Sequence, residues 1–145
     1  MQSLPHHYKI SAASDADGDV TLSSEGLDPI PGAAPAEFGG PGDRWSPETL
    51  LVASLAACFI LTFRAIARAS KLDWTSLTSD VEGTLERRDG KTKFTEFTLR
   101  ATLRLPDDAN KERAHRMLEK AEETCLITNS LSGTTRLEAV ILNDS

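Results

Sequence analysis

The chain is 145 residues long, 39% hydrophobic and 26% charged, a globular mixture that suits one domain, residues 1–145, with room for a real core. Its formal net charge of −6, with no Lys or Arg run, excludes a nucleic-acid backbone or an anionic membrane surface as the main partner. The N-terminal MQSLPHHYKISAASDADGD lacks the apolar stretch of a signal peptide, and the expectation is a soluble cytoplasmic protein.

In chain order, HYKIS and DVTLSS read as two short strands joined by the turn-rich AASDADG. GLDPIPGAAPAEFGGPGDR follows, with four prolines and five glycines. It reads as a long loop with at most a short extended piece, the kind of loop that is often functional or packed on a partner.

The first helix starts at SPE. Ser46 suits the N-cap and Pro47 the first helical position, where a missing N–H costs nothing. Glu48 sits well in the positive first turn. Leu50 to Phe63 is apolar on almost every side, a run expected to be too short for a bilayer. A helix apolar all round needs cover all round, and one small domain rarely supplies it. A partner subunit is therefore expected over part of this helix, which becomes amphipathic after Arg64 and ends near ASKLD.

Two strands come next. Leu77, Val81 and Leu85 alternate with polar residues, as do Phe97, Leu99, Ala101, Leu103 and Leu105. A two-residue Asp-Gly turn between them would pair odd with even positions and put one apolar face in water. A three-residue loop, Arg88-Asp89-Gly90, with a bulge at a left-handed Gly90 is therefore expected. The second helix should run from about Ala109 to Cys125, capped by Asp107 or Asp108. Ala114, Met117, Leu118, Ala121 and Cys125 form one face. TTRLEAVIL reads as the last strand. Strands, helix, hairpin, helix and strand make an α+β fold.

The chemistry rests on two cysteines, Cys58 and Cys125, the only ones in the chain. In a reducing compartment they are free, transient or catalytic. Each alone suits an inert core position. Reactive thiols need a polar, partly open setting. Both, however, fall on core-facing positions of the two helices, so packing those helices could bring the sulfurs together for thiol–disulfide chemistry. There is no Cys-x-x-Cys of the thioredoxin kind.

SPETLLVASLAACF followed by EKAEETCLITNSL resembles the OsmC/Ohr family of organic hydroperoxide reductases, over most of the chain from Phe38 onward. The resemblance implies an intertwined homodimer with antiparallel sheets wrapped around central helices, no cofactor, and reduction of organic hydroperoxides. Cys58 would be the peroxidatic thiolate, Cys125 the resolving thiol, and an external dithiol the reductant. In the family the thiolate is served by an arginine, held by the glutamate of the Pro-Glu motif, here Glu48. Ten residues of helix rise about 15 Å, so Glu48 would reach a cysteine of an antiparallel partner helix rather than its own Cys58. Classical members supply the arginine from the N-terminal strands or the loop after them. Here the first 43 residues contain none. Arg44 is the nearest candidate, with Arg64 and Arg68 further along the helix. That departure leaves a second reading open, a dimeric stress or small-molecule-binding protein without meaningful turnover.

Other signals are weaker. FGGPGDRWS lacks the Lys-Ser/Thr of a phosphate loop. Asp15, Asp17 and Asp19 lack the glycine and glutamate placement of a calcium loop and read as a turn. His6, His7 and His115 are scattered and form no metal set. Phe38 and Trp45 flank the helix start and either pack or roof a pocket.

Overall fold

The computed structural model describes residues 1 to 144 and resolves two compact units, one up to Leu50 and one from Leu51 onward. The first carries a three-stranded antiparallel sheet of β1 (Ser11–Ala13), β2 (Val20–Ser23) and β3 (Ile30–Gly32). β1 begins where the expected HYKIS strand was to end. The Pro- and Gly-rich loop supplies the third strand and a short 3-10 turn, Ala36–Phe38. Gly32 has a structural reason to be glycine. It bridges Trp45, whose carbonyl accepts the Ala33 N–H at 3.0 Å, and a Cβ there would sit 3.2 Å from that carbonyl oxygen.

α1 (Pro47–Ala69) starts as its residues direct. The N–H of Thr49 donates to Ser46 Oγ at 3.1 Å, and the N–H of Ser46 donates to Thr49 Oγ1 at 2.9 Å. This is a reciprocal cap with Thr49 in the place usually taken by Glu or Gln. At 23 residues the helix is long and apolar enough, by length and composition, to cross a membrane. That corrects the expectation of a run too short to do so, because the helix continues past Phe63 to Ala69. One face of it, Leu55, Phe59, Phe63 and Ala67, is fully buried in protein.

β4 (Ser76–Arg88), β5 (Lys91–Leu105) and β6 (Thr134–Asn143) form the second sheet, in the order β4-β5-β6. The hairpin corrects the expected loop. Arg88 pairs with Lys91, so the turn is the two-residue Asp89-Gly90, with φ of 54° and 76°. Two positive φ values give a turn whose twist matches the strands. The parity problem is solved five residues from the turn on each strand. The register shifts between Thr84 and Leu85, which face Glu96 and Phe94 respectively, leaving Thr95 as the extra residue of a bulge. Beyond it, Val81 faces Leu99 and Leu77 faces Leu103, so both apolar sets share the core side. The Thr95 hydroxyl donates to the Glu86 carboxylate.

β6 pairs with β5 in parallel, so this sheet is mixed rather than antiparallel throughout. The intervening segment carries the chain back across the sheet through α2 (Lys111–Thr124) and the one-turn α3 (Leu126–Asn129). α2 is shorter than expected. Asn110 precedes it, and Asp107 accepts the N–H of Ala109 in the turn before it rather than capping the helix. Phe59, Phe63 and Ala67 of α1 pack with Ala114, Met117, Leu118 and Ala121 of α2 over Leu99, Ala101, Leu103 and Leu105 of β5. Phe63 meets Trp74 edge to face, ring centres 5.4 Å apart.

Candidate active site

Cys58 sits midway along α1, one residue before the buried Phe59. Its partner for chemistry arrives from the far end of the fold. α2 stops at Thr124, and Cys125 is both the residue that closes α2 and the one that opens α3. The sequence pattern placed Cys125 on the last turn of a single helix. The structure places it at a joint, with extended backbone (φ −63°, ψ 118°) and its carbonyl accepting the N–H of Asn129 at 3.0 Å. Cys125 is fully buried, in a small cluster with Leu55 of α1 and Phe97 of β5, and Cys58 packs against that cluster half-buried. Both thiols are free, and they meet in this one apolar cluster.

Their surroundings push them in opposite directions. Burial pushes the Cys58 thiol up. Donors then pull it down further: the backbone N–H of Ile127, the Cys125 thiol, the Thr62 hydroxyl and the backbone N–H of Leu126. The balance lies below the ordinary thiol value, because donors stabilise the thiolate. Thr62 stands one turn along α1. Its Oγ1 donates to the Cys58 carbonyl at 2.7 Å and lies 3.8 Å from Cys58 Sγ. Cys125 is held above its ordinary value, by burial first and by Cys58 next, against donation from the Thr128 hydroxyl and N–H. Burial is its main cause. A lower-pKa, half-exposed thiol beside a higher-pKa, buried one matches the division between an attacking and a resolving sulfur.

Leu126, Ile127, Thr62 and Thr128 were absent from the sequence-based site. Thr62, four residues after Cys58 on a helix, was the findable one. The donors of α3 were not, because a four-residue helix following a longer one leaves no periodic signal.

The other two expected site residues lie in the first unit. Glu48 borders an apolar cavity of about 310 Å³, whose walls include Val20, Leu22, Phe38 and Trp45. Its Oε1 is buried without a hydrogen-bond partner. Arg44 does not turn to it. Arg44 Nε lies 3.2 Å from Asp19 Oδ2, and its Nη1 lies 3.7 Å from Asp43. Asp19, weighed in the sequence only as part of a turn, is thus the partner of the candidate arginine.

A family model described as OsmC-like protein matches residues 40–139. The chain belongs to the OsmC-like family. Among its relatives, the uncharacterized protein YmaD of Bacillus subtilis is 29% identical over 107 residues, which cover 72% of this OsmC-like chain and 71% of YmaD. An OsmC-like protein of unknown function from Vibrio cholerae superposes with a TM-score of 0.86 at 21% identity, over 94% of this chain and 100% of that one. An organic hydroperoxide resistance protein OsmC from Legionella pneumophila superposes with a TM-score of 0.75 at 26% identity, over 97% and 99%. The α+β fold expected from the order of elements is the OsmC-like fold of these structures.

Proposed function

We propose that this OsmC-like protein is a thiol-dependent peroxidase of organic hydroperoxides. The observation that carries the reading is the pair of free thiols in one apolar cluster, one held below and one above the ordinary value. The Legionella relative, described as an organic hydroperoxide resistance protein, supports the substrate class. So does the apolar cluster of Leu55, Phe97 and Ile127 around the sulfurs, which suits an alkyl group better than hydrogen peroxide.

In this reading the Cys58 thiolate attacks the distal oxygen of the peroxide. The O–O bond breaks, the alkoxide takes a proton and leaves as the alcohol, and Cys58 becomes a sulfenic acid. Cys125 then attacks the Cys58 sulfur and expels water as the disulfide forms. An external dithiol returns two electrons and restores both thiols. Across a homodimer Glu48 and Arg44 would support the thiolate only once Arg44 leaves Asp19 and Asp43, with which it is paired here. The exposed Leu61 on the outer side of α1 supports a partner copy there. The protein works in the cytoplasm, where thiols are kept reduced.

A second reading, binding of an apolar small molecule without turnover, is favoured by the cavity beneath Phe38 and Trp45. One experiment separates them. One equivalent of cumene hydroperoxide is added to reduced protein, and free thiols are counted. The peroxidase loses two thiols together and regains them with dithiol, and the binder keeps both. In Cys125→Ser the Cys58 sulfenic acid should accumulate and be trapped by dimedone. A Cys58→Ser variant that consumes peroxide as fast as the parent ends the peroxidase reading.

A further inference from the structure

Thr62 follows Cys58 by one turn of α1, and its hydroxyl lies against two atoms of that residue. Cα–Cβ bonds tilt toward the start of a helix, which carries the Thr62 side chain onto Cys58. Thr62 Oγ1 donates to the Cys58 carbonyl at 2.7 Å and lies 3.8 Å from Cys58 Sγ. A hydroxyl has one hydrogen and two acceptor lone pairs. With its hydrogen on the carbonyl, Oγ1 can only accept from the sulfur, so this arrangement belongs to the protonated thiol. The carbonyl does not depend on it. Inside α1 that oxygen already receives the N–H four residues on, and back-bonds of this kind add nothing to helix stability.

An ionised Cys58 needs a donor or a cation. The cluster it joins is apolar: Leu55 of α1, Val81 of β4, Phe94 and Phe97 of β5, and Ile127 of α3. The titratable group facing it is Cys125, and among the described residues no charged side chain acts on it. We propose that Thr62 is a positioning residue for Cys58, its hydroxyl hydrogen turning from the Cys58 carbonyl to the sulfur as the thiol gives its proton to solvent. The role rests on the reading of Cys58 as the reactive thiol and adds to it a partner for the thiolate. Rotation about the Cβ–Oγ1 bond carries the hydrogen across. The 3.8 Å contact then shortens, since charge-assisted hydrogen bonds are shorter. One side chain thus serves the sulfur in both protonation states, accepting from the thiol and donating to the thiolate.

The test is the pH dependence of Cys58 alkylation by iodoacetamide, followed by mass spectrometry on reduced, full-length protein without peroxide. Three variants separate the hydroxyl from the methyl group. Thr62→Val keeps the shape and removes the hydroxyl, Thr62→Ser keeps the hydroxyl and removes the methyl, and Thr62→Ala removes both. Thr62→Val and Thr62→Ala should raise the midpoint by about 1 pH unit. That is the low end for a hydrogen bond to a charged group, because the thiol form loses its partner too. Thr62→Ser should return the parent value. Should Thr62→Val not fold, Thr62→Ala against Thr62→Ser makes the same comparison. Midpoints that do not move, or that follow the methyl group, overturn the proposal. Ser54 controls for a back-bonding hydroxyl as such, since it donates to the Leu51 carbonyl at 2.6 Å on the same helix. Ser54→Ala should leave the midpoint in place, and an equal rise there overturns the proposal.

The turn itself is read by infrared difference spectroscopy with isotope-labelled cysteine carbonyls. As pH rises through the midpoint, the Cys58 carbonyl of the parent loses the hydroxyl and its amide band moves to higher wavenumber, whereas in Thr62→Val it stays. A parent band that stays overturns the proposal. Because no peroxide is present, these outcomes stand apart from whether the protein turns peroxide over. An inactive protein whose midpoint follows the hydroxyl, or an active one whose midpoint ignores it, would each be recognised.

Discussion

Phe97 is the floor of the proposed site, and its truncation tests the packing beneath it. The ring is 1% exposed. It packs with Leu55 and Cys125 and stacks on Phe94, with ring centres 5.4 Å apart at 28°. Phe97→Ala removes a fully buried ring and leaves a cavity bounded by a strand and a helix, neither able to collapse freely. Such truncations cost about 3–5 kcal/mol, of which about 1 kcal/mol belongs to the aromatic pair. With a urea slope of about 2 kcal/mol/M for a chain of this size, a loss of about 4 kcal/mol moves the unfolding midpoint down by about 2 M. The protein should stay folded in dilute buffer if its stability lies in the usual range of about 5–15 kcal/mol. The site should feel the change as well. Cys125 loses the surface that fixes it beside Cys58, so the disulfide closes more slowly, and dimedone captures more sulfenic acid per equivalent of cumene hydroperoxide. The assay is urea unfolding in reductant, followed by trapping at fixed time. A midpoint shift under about 0.5 M, with trapping equal to the parent, would refute both the tight packing and its link to the thiols.

Three further outcomes are expected. Gly40→Ala should be severely destabilising, since a Cβ there would overlap the carbonyl of Ala34, which is backbone and cannot move aside; expression with a normal thermal midpoint would contradict this. Ser46→Ala removes both the acceptor for the Thr49 N–H and the partner of Thr49 Oγ1 at 3.0 Å. Loss of such a cap should cost about 1 kcal/mol in denaturant unfolding. Glu122 is held above the usual carboxylate value by burial and by Glu123 and Glu119. A raised acid favours the folded state while protonated, and that advantage is lost as pH rises through its ordinary and then its folded-state value. Glu122→Gln should therefore stabilise the protein by about 0.5 kcal/mol at pH 7 and by nothing near pH 3. Stabilisation equal at both pH values would exclude the charge as its cause.

Much was legible in the sequence because it is written in local rules. Ser46, Pro47 and Glu48 mark a helix start by their own chemistry. Alternation marks β4 and β5, and the stripe Ala114, Met117, Leu118, Ala121 and Cys125 is buried as its spacing requires. Two cysteines on two core faces pointed to a meeting of sulfurs. What the sequence could not decide depends on distance between segments. The bulge at Thr95 resets a register chosen by the Asp89-Gly90 turn, and only the paired strands reveal the mismatch to be corrected. The parallel placement of β6 follows from where α2 and α3 return the chain. Arg44 finds Asp19 across 25 positions, and Cys58 meets the cluster of Cys125 at a helix break that no period announces. Composition and periodicity fix which faces are apolar, since burial is set residue by residue. Which polar group meets which sulfur is fixed by the packed fold alone, because hydrogen bonds act over about 3 Å between residues the chain holds far apart.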